Sequence, residues 1–404
     1  MFEGTATQSQ RVPRVVIAGG GIAALEAVLA LRAVAGRRVS IEVWATERDF
    51  VYGPLSVATP FLAGEVRRFP LDRLVEQAGG VLRQGRVISV DPGRHVVVTD
   101  VGDVPYDVLL LALGARSTAA VEGALTFRGP EDDGALADLL FTVVTGTTRR
   151  LAFVLPTGPT RHLPLYELAL ETRSYVTDHG TRDIEITIIT PESSPFAAFG
   201  PDAGDEIRRL LSEREIELRT STEVKTFAGD EVHLEGQSPI PADRVVAMAR
   251  LEGPRVTGIP CDIEGFVSVD EHGRVAGAYD VYAAGDMTTF PVKQGGIATQ
   301  QADAAAEAIA ARLGIPIEPT TFHAVLRSQL LTGSFPRYLH LDTSGGRHTL
   351  STVAPWWPAA KIVGRYLTPF LAHHLGPAGT DPPDGAAGHE TEDEHQPDGT
   401  WLPI

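Results

Sequence analysis

The sequence predicts an α/β protein with two Rossmann-like nucleotide-binding domains, the first built from two separate stretches of chain, and a small C-terminal cap. Three patterns lead to this fold class. A glycine turn at residues 19–21 stands between an apolar run and an Ala/Leu-rich segment. An apolar run followed by a helical pattern recurs after Arg150, and a buried run at 281–284 precedes an Ala-rich segment. Such alternation of strands and helices indicates parallel sheets.

The first unit is a strand, a glycine turn, a helix and a second strand. Residues 15–18 form a short apolar run of the kind that parallel sheets bury. Residues 22–35 are rich in Ala and Leu and end at Gly36, as helices often do. Residues 39–44 alternate between apolar and polar side chains, which is typical of a strand. The order matches a βαβ unit.

The rest of the chain extends this scheme. Residues 151–155, 165–175 and 184–190 form a second predicted strand, helix and strand. Between the two units, residues 87–104 alternate like an antiparallel meander and residues 106–114 resemble a buried strand. The predicted boundaries are 12–118 and 263–318 for the first domain, 119–262 for the second, 319–375 for the cap and 376–404 for a disordered acidic tail.

Composition excludes several classes of function. The net charge of −17 argues against a nucleic-acid partner. Cys261 is the only cysteine, which excludes an intramolecular disulfide, a CxxC pair and a cysteine-rich metal site. Residues 1–10 are polar, and no apolar run reaches the roughly 18 residues that span a bilayer. We therefore expect a cytoplasmic protein, with peripheral contact to the inner face of the membrane left open.

The first glycine turn predicts a dinucleotide site. It has the form Gly19-x-Gly21-x-x-Ala24. The first glycine permits a tight turn, the second lets the backbone approach a pyrophosphate, and the small third residue lets the helix pack on the strand. The N–H groups and dipole at the helix start then face the phosphates. The expected pyrophosphate site comprises Gly19, Gly20, Gly21, Ile22, Ala23 and Ala24.

An acidic residue about 20 positions further on is expected to bind the adenosine ribose. Glu42 lies inside the second predicted strand, where an inward carboxylate would be costly. Glu47 comes just after the end of that strand. We therefore predict that Glu47 binds the ribose, the alternative being a solvated loop carboxylate.

Two further segments indicate that the dinucleotide is FAD. Residues 106–114 run from a polar start through a buried strand to Ala112 and Gly114. A second buried strand ends on Gly285 and Asp286. Open α/β sheets bind ligands at the carboxyl ends of their strands, so Asp286 is placed to accept a hydrogen bond from a ribityl hydroxyl.

Together these segments resemble FAD-dependent pyridine nucleotide-disulfide oxidoreductases, which share a glutathione-reductase-type fold. The resemblance extends over about residues 14–315. Residues 49–55 and 291–295 look like the branch of sulfide:quinone reductases and flavocytochrome c sulfide dehydrogenases, with type II NADH dehydrogenases as the neighbouring branch.

The resemblance assigns roles to residues near the flavin. It implies that Lys293 and Gln294 lie beside the flavin ring and that the backbone of Val87 contacts the adenine. Gly296 opens the predicted Ala-rich helix. The positive end of that helix would stabilise negative charge on the reduced flavin.

The sequence departs from the sulfide branch in its cysteines. Enzymes of that branch use two redox cysteines, and the position of one of them falls near Arg161. No cysteine follows Lys293, and the lone Cys261 cannot support a disulfide cycle. Sulfide oxidation by that mechanism and dithiol–disulfide reduction are therefore excluded.

The second nucleotide turn departs from the family as well. Residues 156–164 carry one glycine and three prolines where Gly-x-Gly-x-x-Gly is expected, and proline removes N–H donors. Arg161 and His162 are nevertheless placed to meet a phosphate, and Glu192 follows the next strand, where a ribose carboxylate would lie. Binding of NAD(P)H therefore stays open.

Lys293, Tyr166 and Glu167 are the candidate catalytic residues. Lys293 is expected to hold flavin or substrate electrostatically. Either His162, or Tyr166 with Glu167, is expected to face the flavin as proton donor or substrate contact. The alternative for Glu167 is a paired structural carboxylate. No metal site is predicted, because the pair at 373–374 lacks further ligands at matching spacing.

The C-terminal stretch at 355–371 combines aromatic, apolar and basic residues. In the resembling branches this region lines a quinone site and touches the membrane surface, and aromatic rings with Lys and Arg suit such an interface. The alternatives are a homodimer contact or a cover over the flavin.

The predicted function is an FAD-dependent oxidoreductase that passes electrons from a small donor to a quinone-like or other small acceptor without redox cysteines. Two alternatives stay open. One is an NAD(P)H-dependent reductase, and the other is a flavin-binding partner or sensor protein without turnover.

Overall fold

The computed structural model describes residues 11–181, 183–343, 348–356 and 360–375. Its main layers are two five-stranded parallel sheets and a three-stranded antiparallel sheet near the C-terminus. The predicted α/β fold class with Rossmann-like sheets is confirmed.

The helices and strands follow one another in three stretches of chain. The first stretch comprises β1 (Arg14–Ala18), α1 (Ile22–Ala35), β2 (Ser40–Ala45), β3 (Asp49–Tyr52), β4 (Arg67–Pro70), α2 (Leu71–Gln77), β5 (Val81–Gln84), β6 (Val87–Asp91), β7 (Val96–Thr99), β8 (Gly102–Pro105), β9 (Val108–Leu111) and β10 (Arg116–Thr118). The second comprises β11 (Leu125–Phe127), α3 (Asp133–Val144), β12 (Arg150–Val154), α4 (Leu163–Asp178), β13 (Glu185–Ile189), α5 (Pro201–Glu213), β14 (Ile216–Arg219), β15 (Val224–Ala228), β16 (Glu231–Leu234), β17 (Ile240–Pro241), β18 (Arg244–Met248) and β19 (Arg250–Glu252). The third comprises β20 (Val281–Ala283), α6 (Gly295–Arg312), β21 (Val325–Leu330), β22 (Arg337–Asp342), β23 (His348–Ser351) and α7 (Leu367–Leu375).

The first parallel sheet has the strand order β20-β9-β1-β2-β5. Strands β1 and β9 are almost wholly apolar because both faces of the sheet are covered. Helices α1 and α6 pack on one face, and the meander β6-β7-β8 packs on the other. Since β20, β9 and β1 are neighbours and parallel, their carboxyl ends meet at one edge of the sheet.

The second parallel sheet has the order β11-β18-β12-β13-β14. Helices α3, α4 and α5 bury their apolar sides on one face, while the antiparallel strands β15, β16 and β17 cover the other. Helix α4 begins shortly after the end of β12, as the predicted second strand–turn–helix unit requires.

The C-terminal part joins both sheets. Leu326 and Leu339 of the antiparallel sheet β21-β22-β23 lie in the core around α4. Leu367 and Leu371 of α7 lie in the core around α1. Within the described ranges, no helix combines the length and the apolar character that crossing a membrane requires. The predicted acidic tail, and Trp357 and Pro358 of the aromatic stretch, lie outside the described residues.

Candidate functional site

A cleft of about 1650 Å³ begins at the carboxyl ends of β1, β9 and β20, continues past the second sheet and ends at the C-terminal cap. The predicted cofactor residues that line it are Gly19, Gly20, Gly21, Ile22, Ala23, Glu47, Val87, Ala112, Gly114, Gly285, Asp286, Lys293 and Gln294. Ala24 and Gly296 are buried beside it. Of these predicted residues, Gly19 and Gln294 lie furthest apart in the sequence, by about 275 positions.

The glycine turn forms one end of the cleft. Gly19 has a φ of +126°, and a Cβ there would lie 2.1 Å from the carbonyl oxygen of Ala112. Only glycine tolerates both conditions. Gly21, at the start of α1, has no atom within 4 Å of its Cβ position. The first N–H groups of α1 therefore face open space, which suits an anionic pyrophosphate.

The adenosine end of the predicted site holds Glu47 and Val87 on the cleft wall. Glu47 is exposed, and its carboxylate accepts a hydrogen bond from the Thr46 hydroxyl at 2.7 Å. Trp44, the penultimate residue of β2, lines the same region, and its buried Nε1 has no hydrogen-bond partner. Trp44 carries no recognisable motif, because its position resembles that of any half-buried strand residue.

Gln294 lies at the start of α6, on the cleft wall. Its Nε2 donates to the carbonyl oxygen of Arg327 at 2.8 Å, which fixes the amide. Its Oε1 is buried and has no hydrogen-bond partner. Because buried polar atoms are almost always paired, this oxygen and Trp44 Nε1 fit a bound molecule with a donor at one end and an acceptor at the other.

Lys293 is buried next to Gln294. Its Nζ donates to the carbonyl oxygen of Thr288 and lies 4.0 Å from the centre of the Phe266 ring. Burial lowers the pKa of Lys293 to about 8, although Asp286 and other carboxylates oppose the shift. The side chain of Lys293 is therefore mainly protonated at neutral pH, and its positive charge is lost as the pH rises past 8.

Asp286 follows β20 at the carboxyl edge of the first sheet. One of its oxygens accepts a hydrogen bond from the Arg161 guanidinium at 2.7 Å. Arg161 stands where the sulfide branch is expected to carry a redox cysteine. A charged contact thus links the carboxyl edges of the two parallel sheets in the cleft.

Glu167 forms a buried ion pair with the cap. Nζ of Lys361 lies 2.7 and 2.8 Å from its two carboxylate oxygens, and both residues line the cleft. Glu167 also accepts the backbone N–H of Leu331 at 2.9 Å. Burial raises the pKa of Glu167, and the ammonium of Lys361 opposes that shift. This arrangement matches the alternative in which Glu167 is a paired structural carboxylate.

The position of Tyr166 differs from the prediction that this residue faces the flavin. It is fully buried, does not line the cleft, and its hydroxyl donates to Glu192 at 2.6 Å. The other Glu192 oxygen lies 2.9 Å from Nδ1 of His162, which does line the cleft. Helical spacing explains the difference, because Tyr166 and Glu167 lie on different sides of α4.

The turn between β12 and α4 lines the cleft and is bonded to the segment at 249–251. The Thr160 hydroxyl donates to the carbonyl oxygen of Ala249 at 2.7 Å, and the N–H of Leu251 donates to Pro159 at the same distance. Pro164 occupies the first turn of α4, where it supplies no N–H. The three prolines of residues 156–164 thus supply no backbone N–H to a phosphate, unlike the glycine turn at 19–21.

The histidine pair at 373–374 lies on α7. Among the described residues, no group of three or more His, Cys, Asp or Glu side chains is arranged to hold a metal ion.

Comparison with known proteins agrees with this geometry. The sequence model of the pyridine nucleotide-disulphide oxidoreductases matches residues 13–308, which is more than half of the chain. Comparison with curated protein sequences gives no match.

Several solved structures share the fold. The sulfide:quinone oxidoreductase of the hyperthermophilic bacterium Aquifex aeolicus is 19% identical, with a TM-score of 0.77 over 84% of this chain and 87% of that one. The ferredoxin reductase of the CYP199A2 system from Rhodopseudomonas palustris is 19% identical, with a TM-score of 0.63 over 82% and 83%. NDH2 from Plasmodium falciparum, solved in complex with NADH, is 15% identical, with a TM-score of 0.55 over 69% and 65%.

The family match extends from the strand that precedes the glycine turn into the helix that Gln294 introduces, and the cleft lies between these elements. The predicted superfamily is thereby confirmed. The chain belongs to the pyridine nucleotide-disulphide oxidoreductase family and is an FAD-dependent oxidoreductase.

Proposed function

We propose that this enzyme takes electrons from a small donor into FAD and passes them to a quinone-like or other small acceptor without a redox cysteine. The observation that carries the proposal is the contact between Arg161 and Asp286 in the cleft. It stands where a disulfide mechanism needs a thiol, while Cys261 is exposed and does not line the cleft.

The cofactor would lie along the cleft from the glycine turn to the start of α6. The turn would hold the pyrophosphate, Glu47 the ribose, and the backbone of Val87 the adenine. Asp286 would accept a ribityl hydroxyl beside Arg161, and Lys293 and Gln294 would contact the ring. When bound, FAD supplies the two-electron redox chemistry that no side chain of this protein can supply.

The acceptor would enter at the cap end of the cleft. That wall is largely apolar, with Phe290, Val292, Leu326 and Ile362, and Ser328 adds a polar group. An apolar pocket with few polar groups suits a quinone ring. Lys361 stands at the same end, but its ammonium is already paired with Glu167.

Peripheral contact with a membrane would bring a quinone to this end of the molecule. Phe335, 81% exposed, and Val353, 62% exposed, lie in the cap. Exposed apolar side chains of this kind can enter the boundary between headgroups and acyl chains. A homodimer contact through the same surface is the competing arrangement.

NAD(P)H is the alternative donor, since the family is defined by pyridine nucleotides. Two observations argue against it as the donor here. The turn at 156–164 carries three prolines, which supply no N–H to a phosphate. Glu192, the candidate ribose carboxylate, is already bound by His162 and Tyr166.

Anaerobic rapid mixing of the FAD-loaded enzyme tests the proposal. We expect loss of the oxidised-flavin absorbance with a small donor, slow or no loss with NADH or NADPH, and recovery on adding a short-chain quinone. Cys261→Ser should leave both rates unchanged, since this thiol lies outside the cleft. Rapid bleaching by NADH or NADPH would favour the alternative donor. A quinone that never restores the absorbance would contradict the proposed acceptor.

A further inference from the structure

His162 is the only histidine of the described residues that lines the cleft. It directly precedes α4, and its side chain is 36% exposed. Its Nδ1 lies 2.9 Å from Oε1 of Glu192, which comes after β13. The neighbouring residue Arg161 reaches Asp286 at the edge of the first sheet. His162 therefore stands between the carboxyl ends of the two parallel sheets.

Glu192 is held from several directions. Its side chain is 8% exposed, and its second oxygen accepts the hydroxyls of Tyr166 at 2.6 Å and Thr190 at 3.1 Å. Burial works against the charge, but the hydrogen bonds from His162, Tyr166 and Thr190 hold the pKa of Glu192 below its ordinary value. The carboxylate is therefore ionised at neutral pH.

Tyr166 acts as a fixed donor in this group. Burial, together with the charge of Glu192, raises the pKa of Tyr166 far above its ordinary value, so the phenol keeps its proton. Because the carboxylate stays ionised and the phenol stays protonated, the imidazole is the member of this group that can accept a proton from a molecule in the cleft.

The carboxylate also sets the tautomer. With Glu192 accepting at Nδ1, the neutral imidazole carries its proton there, and Nε2 is the basic nitrogen left for a molecule in the cleft. The ion pair to Nδ1 stabilises the imidazolium that forms when Nε2 is protonated. The charged groups of the cleft near this histidine include the pair of Arg161 and Asp286 and the ammonium of Lys293, which interacts with both.

We propose that His162 is a catalytic acid–base residue that accepts a proton from the donor, with Glu192 and Tyr166 as positioning residues. The donor is then a small molecule of the type H–C–X–H, in which X is oxygen, nitrogen or sulfur. This inference rests on the proposed function, which places a small donor in the cleft.

The step balances in atoms and electrons. The X–H bond breaks and a bond from that hydrogen to Nε2 forms, while its electron pair stays on the donor and becomes the second bond between C and X. The hydrogen on carbon leaves with two electrons, for which oxidised FAD is the acceptor. The proton on His162 then passes to solvent through the open cleft.

The reduction potential of bound FAD, measured with no donor or quinone present, tests the role of His162. The measurement runs from pH 5 to 7, below the pKa of about 8 of Lys293. Reduction adds negative charge in the cleft, which favours the imidazolium, so the potential should fall more steeply with pH where His162 takes up a second proton per two electrons. We expect His162→Gln to lose this steeper segment. Glu192→Gln should move it to lower pH, because the imidazolium loses its anionic partner.

His179→Gln is the matched control. His179 lies at the other end of α4, is exposed and does not line the cleft. Its potential profile should match that of the unaltered enzyme, and Tyr166→Phe should keep the steeper segment with a shifted midpoint. An unchanged profile in His162→Gln, with FAD still bound, would overturn the proposal.

Donor oxidation gives the second measurement. L-lactate, L-alanine and 2-mercaptoethanol serve as alcohol, amine and thiol probes. For a probe that bleaches the flavin, His162→Gln should lower the rate about 100-fold, the usual size of an acid–base contribution. An equal rate in this variant would contradict the assignment. The measurement of the potential needs neither donor nor quinone. Failure of quinone turnover alone would therefore contradict only the proposed function and not the role of His162.

Discussion

Gly19 and Gly21 meet different physical demands within one turn. Gly19 is required by the protein itself, because its φ of +126° and its approach to Ala112 leave no space for a side chain. Gly21 is surrounded by open space on the side where a Cβ would lie. A side chain there would meet the pyrophosphate rather than the protein, so the two positions separate stability from cofactor binding.

Gly21→Ala should therefore keep the fold and lose FAD. We expect an unchanged melting temperature for the cofactor-free protein and a substoichiometric FAD content after purification, measured by absorbance. Gly19→Ala should in addition lower stability by about 1–3 kcal/mol through backbone strain. Gly134→Ala is the matched control, since this helical glycine in α3 also has no atom within 4 Å of its Cβ position. Full FAD binding by Gly21→Ala would refute this role of the turn.

Helices α1, α6 and α7 meet at a buried pair of acids. Glu26 of α1 accepts the backbone N–H groups of Tyr366 and Leu367, where α7 begins, at 2.8 and 2.7 Å. Asp303 of α6 lies against Glu26, and burial together with the charge of Glu26 raises the pKa of Asp303 to about 9. Asp303 thus keeps its proton in the folded protein, and Glu26 is free to hold the start of α7.

This acid pair makes stability depend on pH. The folded pKa of Asp303 lies above its ordinary value of 3.8, so its contribution is complete below about pH 4 and is lost as the pH rises towards 9. Asp303→Asn, which cannot ionise, should remove this loss of up to about 1.4 kcal/mol per pH unit. Thermal unfolding should show the variant gaining on the unaltered chain between pH 6 and 9. A constant difference across that range would contradict the assignment.

At the scale of the whole molecule, the cap forms polar contacts with helices that pack on both parallel sheets. Its Lys361 pairs with Glu167 of α4, and its helix α7 is held by Glu26 of α1. The same cap carries the exposed side chains of Phe335 and Val353. The cap thus carries both one end of the cofactor cleft and the two exposed apolar side chains proposed to meet a membrane.

Membrane contact by the cap predicts binding to lipid vesicles. We expect the full chain to sediment with vesicles of zwitterionic lipid, and Phe335→Ser with Val353→Ser to weaken this several-fold, because burial of apolar surface drives such binding. Phe141→Ser is the control, since Phe141 is 70% exposed but lies on α3 of the second domain. Equal sedimentation of the cap variant, or a shift from dimer to monomer instead, would favour a homodimer surface.

Local patterns in the sequence were sufficient for the fold class and the cofactor. The run before Gly19, the helix that follows Gly21 and the strand that ends at Asp286 each carry a periodicity or turn chemistry readable over a few residues. Residue identity alone excluded a disulfide cycle, because Cys261 has no partner in the chain.

The pairing of charged and polar groups required the tertiary structure. Arg161 meets Asp286 across 125 positions, and Lys361 meets Glu167 across 194. No local periodicity encodes contacts between such distant positions. The sequence therefore predicts that Tyr166 faces the flavin, whereas in the structure its hydroxyl donates to Glu192. The sequence by itself determined a flavin-binding fold whose single cysteine cannot form an intramolecular disulfide, because those features are local or compositional. Only the tertiary structure decided which side chains meet in the cleft, because contacts between distant segments depend on how the two sheets and the cap pack.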